Sequence, residues 1–406
     1  MLILFTKILI FLMRLLGGGS SKPGEIGLKF NRRILTKLAR GYNIILVTGT
    51  NGKTTTCSMI YNIFRRAGLR VINNSSGANM PGGIVTCFAK HHKFFDHSTD
   101  KFAVIEVDEA YAKHVTAWIK PKAFVITNIF QDQIDRYGDV QVTKNYIVDA
   151  IKNMPDTTLI VNADQPILRD LPVSNHCIYY GSNAVLANET DEMTTGFATL
   201  DFTIGEEVSL SLKNSTIQIN EQSLSVGVPG FYNVYNALCA YSVCSFFGIS
   251  HEIIASSLAE QVSKFGRFEV MQMEESELVM LLIKNPAGAN QCIDTVALDN
   301  ENVSFLIMLN DNAGDGRDIS WIDDTNFEKL AKMDYSNVIA GGTRAEDLAK
   351  RLRLAGLENI NVYSEFDDIL EAIKGERRRV YALVSYTAMF SFRKYLASKG
   401  YAKGNL

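Results

Sequence analysis

The stretch from Ile44 to Thr56 leaves this chain few choices of fold. Ile44, Ile45, Leu46 and Val47 are four apolar residues in a row, with the length and branching of a buried parallel strand. Gly49 and Gly52 then let the backbone turn tightly enough for successive amides to face one concavity. Lys53 follows, and Thr54 opens a predicted helix whose Ile60, Ile63 and Phe64 fall at helical spacing before Gly68 stops it. A strand, a glycine turn and a helix N-terminus make a phosphate cradle. Amides and the helix dipole meet the anion, Lys53 adds a point charge, and a threonine hydroxyl can ligate Mg²⁺. The general eight-residue nucleotide loop would put its first glycine at Val47, so the motif here is the shorter Gly49-x-x-Gly52-Lys53-Thr54. These residues predict a nucleoside-triphosphate site.

A chain of 406 residues, 47% hydrophobic and 21% charged, is globular and long enough for two or three cores. Its net charge of −3 gives no electrostatic case for nucleic-acid binding. The six cysteines include no C-x-x-C pair, which supports neither a zinc ribbon nor a disulfide framework and fits a reducing cytoplasm best. Met1 to Leu16 is almost wholly apolar but is interrupted by Lys7 and Arg14. It is short for a membrane span, and it has no Ala-x-Ala cleavage site. Two readings stay open, a helix docked on the domain behind it and an interfacial helix on a membrane, with docking preferred.

Residues 1–40 read as this apolar helix and a connector, in which Lys22-Pro23-Gly24 is a predicted turn and Ile34 to Leu38 a short helix. The glycine-rich stretch Ser76 to Gly83 reads as an unpacked loop able to approach a ligand with its backbone. Phe102 to Ile105 is a second buried strand and delivers Glu106, Asp108 and Glu109 to its carboxyl end, where ligands sit in open parallel sheets. A carboxylate there is the usual oxygen ligand for Mg²⁺. Ala123 to Ile126 and Thr158 to Val161 repeat the pattern, ending in Thr127-Asn128 and in Asn162-Ala163-Asp164. Strands alternating with helices predict a doubly wound α/β domain over 41–280. Alternating Thr- and Ser-rich runs at about 182–225 read as a small antiparallel insertion. Asn233 and Asn236 begin the next helix, and Arg267 follows Gly266 on a loop, a position from which an arginine can neutralise a transferring phosphate.

A Rossmann-like α/β unit is predicted over 281–406, with strands at 304–309, 338–340, 360–363 and 380–384. The loop after its first strand, Asn310 to Trp321, is dense in Asp and Gly. Trp321 and Ile322 are expected to anchor it while Asp315 and Asp318 stay outward. Asp318 is the better-held of the two on this reading, because Asp315 lies between glycines.

The motif Thr48-Gly49-Thr50-Asn51-Gly52-Lys53-Thr54-Thr55 resembles the phosphate loop of the Mur ligases, and Glu106, Thr127-Asn128, Asn233, Asn236 and Gly266-Arg267 fall in that family's order. Lys284-Asn285-Pro286-Ala287-Gly288, Asp315 to Trp321 and Ser385-Tyr386-Thr387-Ala388 are similar to the MurT branch, synthetase subunits of lipid II isoglutaminyl synthase that pair with the glutaminase GatD. The resemblance implies a Mur-ligase-like central domain followed by a MurT-type C-terminal domain. It implies ATP-dependent amidation of the D-glutamate α-carboxylate in the lipid II stem peptide, through an acyl phosphate that ammonia attacks. Thr50, Asn51, Gly52, Lys53, Thr54, Thr55, Asn128, Asn233, Asn236 and Arg267 would meet ATP, with Thr54 and Glu106 on Mg²⁺. Glu106, Arg267 and Asp318 would carry the chemistry, Asp318 by lending a carboxylate to the partner's Cys-His pair.

Two features depart from the wider family: Gln133 stands where amino-acid-adding Mur ligases carry a histidine, and the four-cysteine ribbon of several relatives is missing, so zinc is not expected. The implied setting is cytoplasmic, with peripheral association at the inner face of the membrane left open. An amino-acid-adding Mur ligase and a non-catalytic nucleotide-reading regulator are the competing readings.

Overall fold

The apolar run before the phosphate loop forms β1 (Tyr42–Thr48), which is buried on both faces. Ile44 and Leu46 enter one apolar core, Ile45 and Val47 another. The computed structural model describes residues 3, 4, 6–8, 10, 21–74, 78–93, 98, 100–130, 140–182, 201–262 and 267–402. In it β1 lies inside a nine-stranded sheet with β2 (Arg70–Asn73), β3 (Lys101–Glu106), β4 (Ala123–Ile126), β5 (Thr158–Asn162) and β6 (Cys177–Ser182). The sheet is completed by β7 (Asp201–Leu210), β8 (Ser215–Ile219) and β9 (Gln222–Val226), in the order β2-β3-β1-β4-β5-β6-β7-β8-β9.

The strands from β2 to β7 in that order are parallel, and β7, β8 and β9 are antiparallel. Of the stretch read as an antiparallel insertion, 183–200 lie outside the described residues, and the described strands are continuous with the parallel sheet. Ile217, Ile219, Leu224 and Val226 face the second core, so these strands prolong the parallel sheet over it.

The first core is covered by α1 (Lys22–Phe30), α2 (Ile34–Leu38), α4 (Pro81–His91), α5 (Glu109–Trp118) and α6 (Val140–Ile151). The second is covered by α3 (Lys53–Arg66), α7 (Phe231–Phe246) and α8 (His251–Ala259). Two expectations fail here for one reason. Lys22-Pro23-Gly24 is the first turn of α1 rather than a loop, since proline at the start of a helix gives up only an amide that has no partner there anyway. Gly82 and Gly83 lie buried in α4 rather than in an open loop. A Cβ on Gly24 would lie 1.9 Å from the Gly82 carbonyl oxygen, so Gly24 and Gly82 are where two helix backbones touch, while Gly83 packs against Ala78.

The described helical residues within 3–10 pack on α1 and α4. Thr6 is fully buried beside Gly27, Ile3 and Ile10 meet the first core, and the Lys7 ammonium donates to the His92 carbonyl. Leu4 and Ile8 point outward, 51% and 49% exposed. The segment is docked, yet it keeps an apolar outer stripe.

The second unit is a six-stranded sheet in the order β10-β11-β15-β12-β13-β14, parallel except for the β10–β11 pair. Its strands are β10 (Arg267–Gln272), β11 (Glu277–Leu282), β12 (Val303–Met308), β13 (Tyr335–Gly341), β14 (Ile360–Tyr363) and β15 (Val380–Val384). Helices α9 (Pro286–Val296), α10 (Ala345–Leu354), α11 (Phe366–Lys374) and α12 (Tyr386–Ser398) flank it. By strand pairing this unit takes in 267–280, which the sequence reading gave to the central domain. The cause is the edge hairpin, which joins β11 to β15 and so belongs to the later sheet. All six cysteines are buried free thiols.

Candidate active site

A cavity of about 1180 Å³ opens at the carboxyl ends of β1, β3 and β4 and is closed on its far side by the second unit. The phosphate loop forms its floor. Gly52 has φ +83°, and a Cβ there would come within 2.3 Å of the Asn236 side-chain oxygen, so only glycine fits this turn. Asn236 also accepts from the Thr56 hydroxyl at 3.2 Å and donates to Asn233 at 3.1 Å, and Asn233 donates to the Pro229 carbonyl at 2.7 Å. The start of α7 thus props the loop from behind. The other side is clamped to β4. The Asn128 side chain accepts from the Asn51 amide at 2.8 Å and donates to its carbonyl at 3.0 Å, and the Thr50 amide donates to the Asn128 carbonyl at 2.9 Å. A loop held at so many points is pre-shaped for its ligand.

Lys53 opens α3 and is bound within the site. Its ammonium donates to the carbonyls of Gly49 and Thr50 and lies 3.3 Å from both carboxylate oxygens of Glu109. Burial works against its charge, but Glu109, Glu106 and Asp108 more than offset that, and its pKa is raised. Burial pushes the Glu109 carboxyl above the usual range despite the pull of Lys53. The Thr54 hydroxyl donates to Glu106 at 2.8 Å, and the Asn79 amide donates to the other oxygen of Glu106 at 3.2 Å. Asp108 caps α5 by accepting from the Ala110 amide. The ammoniums of Lys53 and Lys284 therefore stand against the three carboxylates of Glu106, Asp108 and Glu109, which leaves a small excess of negative charge that suits a cation. A hydroxyl and a carboxylate, completed by phosphate and water, are oxygen donors of the kind Mg²⁺ takes. Among the described residues, no group of three His, Cys, Asp or Glu is arranged to hold a metal by itself.

The second unit reaches the loop directly. Asn285 and Asn51 exchange amide hydrogen bonds, both at 3.3 Å, and the Lys284 ammonium donates to the Thr50 carbonyl at 3.3 Å. Asn285 also caps α9 by accepting from the Gly288 amide at 2.8 Å, which turns the N-terminus of α9 toward the loop. Sequence reading singled out these residues only through their resemblance; nothing in their spacing gives a contact 234 residues away. Glu109 was read as one of three acids at the end of β3, and its pairing with Lys53 was missed.

The Asp315 to Trp321 loop corrects the sequence reading. Asp315 is not the loose residue: it is 8% exposed and accepts from both the amide and the hydroxyl of Thr387, tying the loop to the start of α12. Asp318 is the exposed one, held through the Ser320 amide at 2.9 Å and by the Ser320 side chain, and these bonds keep its carboxyl below the usual range. Of the glycines flanking Asp315, Gly316 takes φ +89°, and Gly314 lies against Thr387 and Tyr386. Ile322 anchors the loop in the core as expected. Arg267 is the first residue of β10 rather than a loop residue, and its side chain lies outside the described residues, as does all of Gln133. Cys57 and Cys292 line the cavity, but burial lifts both thiols, Cys292 to about 12, which denies either a thiolate for nucleophilic work.

Comparison with known proteins bears on the family and the fold. Residues 47–244 match the Mur ligase middle domain and residues 282–389 the MurT ligase C-terminal domain. The chain is 35% identical over 96% of its length, and 95% of the relative's, to the lipid II isoglutaminyl synthase (glutamine-hydrolyzing) subunit MurT of Streptococcus pneumoniae. It is 34% identical to the Staphylococcus aureus protein of the same name, over 84% of each chain. Among solved structures, MurF of Acinetobacter baumannii superposes with a TM-score of 0.71 at 15% identity, covering 92% of this chain and 80% of that one. MurF of Thermotoga maritima, solved in complex with ADP, gives 0.70 at 15% identity, covering 92% of this chain and 85% of that one. The fold is that of the Mur ligases, and by the likeness along nearly its whole length the chain belongs to the MurT family.

Proposed function

We propose that this chain is the ligase subunit of a lipid II isoglutaminyl synthase. It uses ATP to activate the α-carboxylate of D-glutamate in the lipid II stem peptide, and ammonia converts the acyl phosphate to D-isoglutamine. The observation that carries the reading is the phosphate loop itself, floored by Lys53 and Thr54, edged by Glu106 and faced across the cavity by Lys284 and Asn285. Thr50, Asn51, Gly52, Thr55 and Asn128 shape the cradle for the phosphates, while Asn233 and Asn236 brace it. Lys53, once it leaves Glu109, stabilises charge on the transferring phosphoryl group, and Arg267 is the second cation assigned to it. Thr54 and Glu106 would hold Mg²⁺, which neutralises phosphate charge when bound.

No side chain need act as a nucleophile, since ammonia comes from a separate glutaminase of the GatD type. Asp318, exposed and ionised, is offered to that partner to orient the imidazole of its Cys-His pair. ATP and the lipid II headgroup meet at the inner face of the membrane, which is where the enzyme works.

The test is turnover by the purified chain with ATP, a lipid II analogue and concentrated ammonium, read as ADP release and as a mass change from acid to amide. Amidation is expected, with glutamine inactive until the glutaminase is added, and Lys53→Ala should abolish it. Ligation of an amino acid in place of ammonium would assign the chain to the amino-acid-adding ligases. Nucleotide binding without any ligation would make it a regulator.

A further inference from the structure

Charge is not spread evenly over this chain. Residues 1–40 hold eight Lys and Arg against a single Glu, in a protein whose net charge is −3, so the remainder is strongly acidic. On α1, α2 and the residues joining them, Lys22, Lys29, Arg32, Arg33, Lys37 and Arg40 are all exposed. The opposite faces of the same two helices are buried: Pro23, Gly24 and Gly27 on α1, Ile34, Leu35 and Leu38 on α2. The basic face is therefore fixed to the body of the enzyme.

Apolar groups accompany it. Leu4 and Ile8 lie four residues apart, hence on one stripe of the N-terminal helix, and both point away from the core. The other side of that helix rests on α1 at Gly27, through Thr6. Phe30, 70% exposed, is one helical turn beyond Gly27, and Arg32 and Arg33 follow it. No described helix is long and apolar enough to cross a membrane. Exposed leucine, isoleucine and phenylalanine among lysines and arginines are the composition of a surface that lies on a bilayer.

We infer that the N-terminal helix with α1 and α2 is a platform for anionic lipid, seating the enzyme on the membrane with its cavity within reach of a lipid-anchored substrate. The inference rests on the proposed function for the identity of that substrate, but the surface binds lipid whether or not the chain ligates. The partner follows from charge: an acidic protein would bring its own repulsion against the acidic remainder of this chain, whereas anionic headgroups meet only the basic face. The platform is also close to the chemistry. The Gly24 amide donates to the Thr86 hydroxyl at 3.0 Å, where α1 crosses α4. Asn79 and Met80, just before α4, line the cavity, and Asn79 holds Glu106.

Vesicle flotation of the full chain, alone and with its glutaminase, tests this. Vesicles rich in phosphatidylglycerol should carry the protein, vesicles of phosphatidylcholine should carry little, and added salt should release it. A basic residue at an anionic surface is worth roughly a factor of five in partitioning, so Lys29→Gln, Arg32→Gln and Arg33→Gln together should cost on the order of a hundredfold. Leu4→Ser with Ile8→Ser, both at exposed positions, should weaken binding independently of salt. Both variants should match the parent in amidating a water-soluble stem-peptide analogue, which checks that they fold. Absence of lipid binding by the parent, or binding that neither variant reduces, overturns the inference. So does loss of glutaminase association in these variants, which would give the face to the partner subunit. Failure of the parent to amidate the soluble analogue would instead count against the proposed function and leave the vesicle result standing.

Discussion

Glu109→Gln should make the empty enzyme bind nucleotide more tightly. In the structure the Lys53 ammonium sits 3.3 Å from both oxygens of Glu109, and both side chains are nearly buried, 13% and 7% exposed. A hydrogen bond between charged groups is worth roughly 1.5–3 kcal/mol, and Lys53 must give it up before it can serve a phosphate. The Glu109 charge would also repel the incoming anion. One unit charge about 6 Å away at an effective dielectric near 20 contributes roughly 3 kcal/mol. Glutamine keeps a neutral bond to the ammonium and leaves Glu106 and Asp108 to balance it, so only part of this total is recovered. We expect a gain of about 1.4–2.8 kcal/mol, a ten- to hundredfold fall in Kd. The assay is calorimetric titration of ADP into protein in the presence of a chelator, so that metal bound to the carboxylates does not mask the effect. Lys53→Met should weaken ADP in both backgrounds. Equal or weaker ADP binding by Glu109→Gln would refute the idea that Glu109 occupies the lysine until phosphate arrives.

Four further outcomes follow. Asp315→Ala strips the Thr387 amide and hydroxyl of their acceptor and should cost roughly 1–3 kcal/mol, lowering ammonium- and glutamine-driven amidation together. Asp318→Asn should lower only the glutamine-driven rate, so an unchanged ratio of the two rates in that variant would remove Asp318 from the partner's site. Gly24→Ala drives a methyl to 1.9 Å from a backbone oxygen and should cost roughly 1–3 kcal/mol or more, seen as a lower Tm, while Gly375→Ala, with only ordinary contacts, should be near neutral. The His92 pKa is lowered by burial and by the neighbouring Lys7 and Lys101, so the folded form resists protonation. Its contribution is whole above pH 6.5 and is lost as pH falls through the lower folded value, so amides at 3–10 should exchange faster below pH 6.5 in the parent but not in His92→Gln.

The parts of this molecule that could be read in advance are those where one local signal suffices. Four apolar residues before a glycine turn specify β1 and its loop, and the buried runs at 102–105, 123–126, 303–308 and 380–384 need no partner to declare themselves. Errors arose where a residue's meaning depends on a distant neighbour. Gly24 and Gly82 resemble loop residues until the two helices are seen to cross. The β10–β11 hairpin follows the central domain in the chain but pairs with β15, more than a hundred residues later. The candidate site divides in the same way. Lys53, Thr54 and Glu106 were legible from type and position, whereas the pairing of Glu109 with Lys53 and of Asn285 with Asn51 needs the fold. Asp315 was misjudged because flanking glycines suggest mobility, while the acceptor demand of Thr387 fixes it.

The burial of every cysteine has a practical consequence. Thiol reagents attack the thiolate, and Cys87, Cys239 and Cys292 are pushed up to about 12, with Cys57, Cys177 and Cys244 also raised. At neutral pH the native protein should take up almost no maleimide. A single cysteine placed by Asp318→Cys or Ile8→Cys would then be the one reactive point on an otherwise silent surface, with no native thiols to remove first. A fluorophore or spin label at the first position would report the approach of the glutaminase, and at the second the polarity of whatever covers the N-terminal helix.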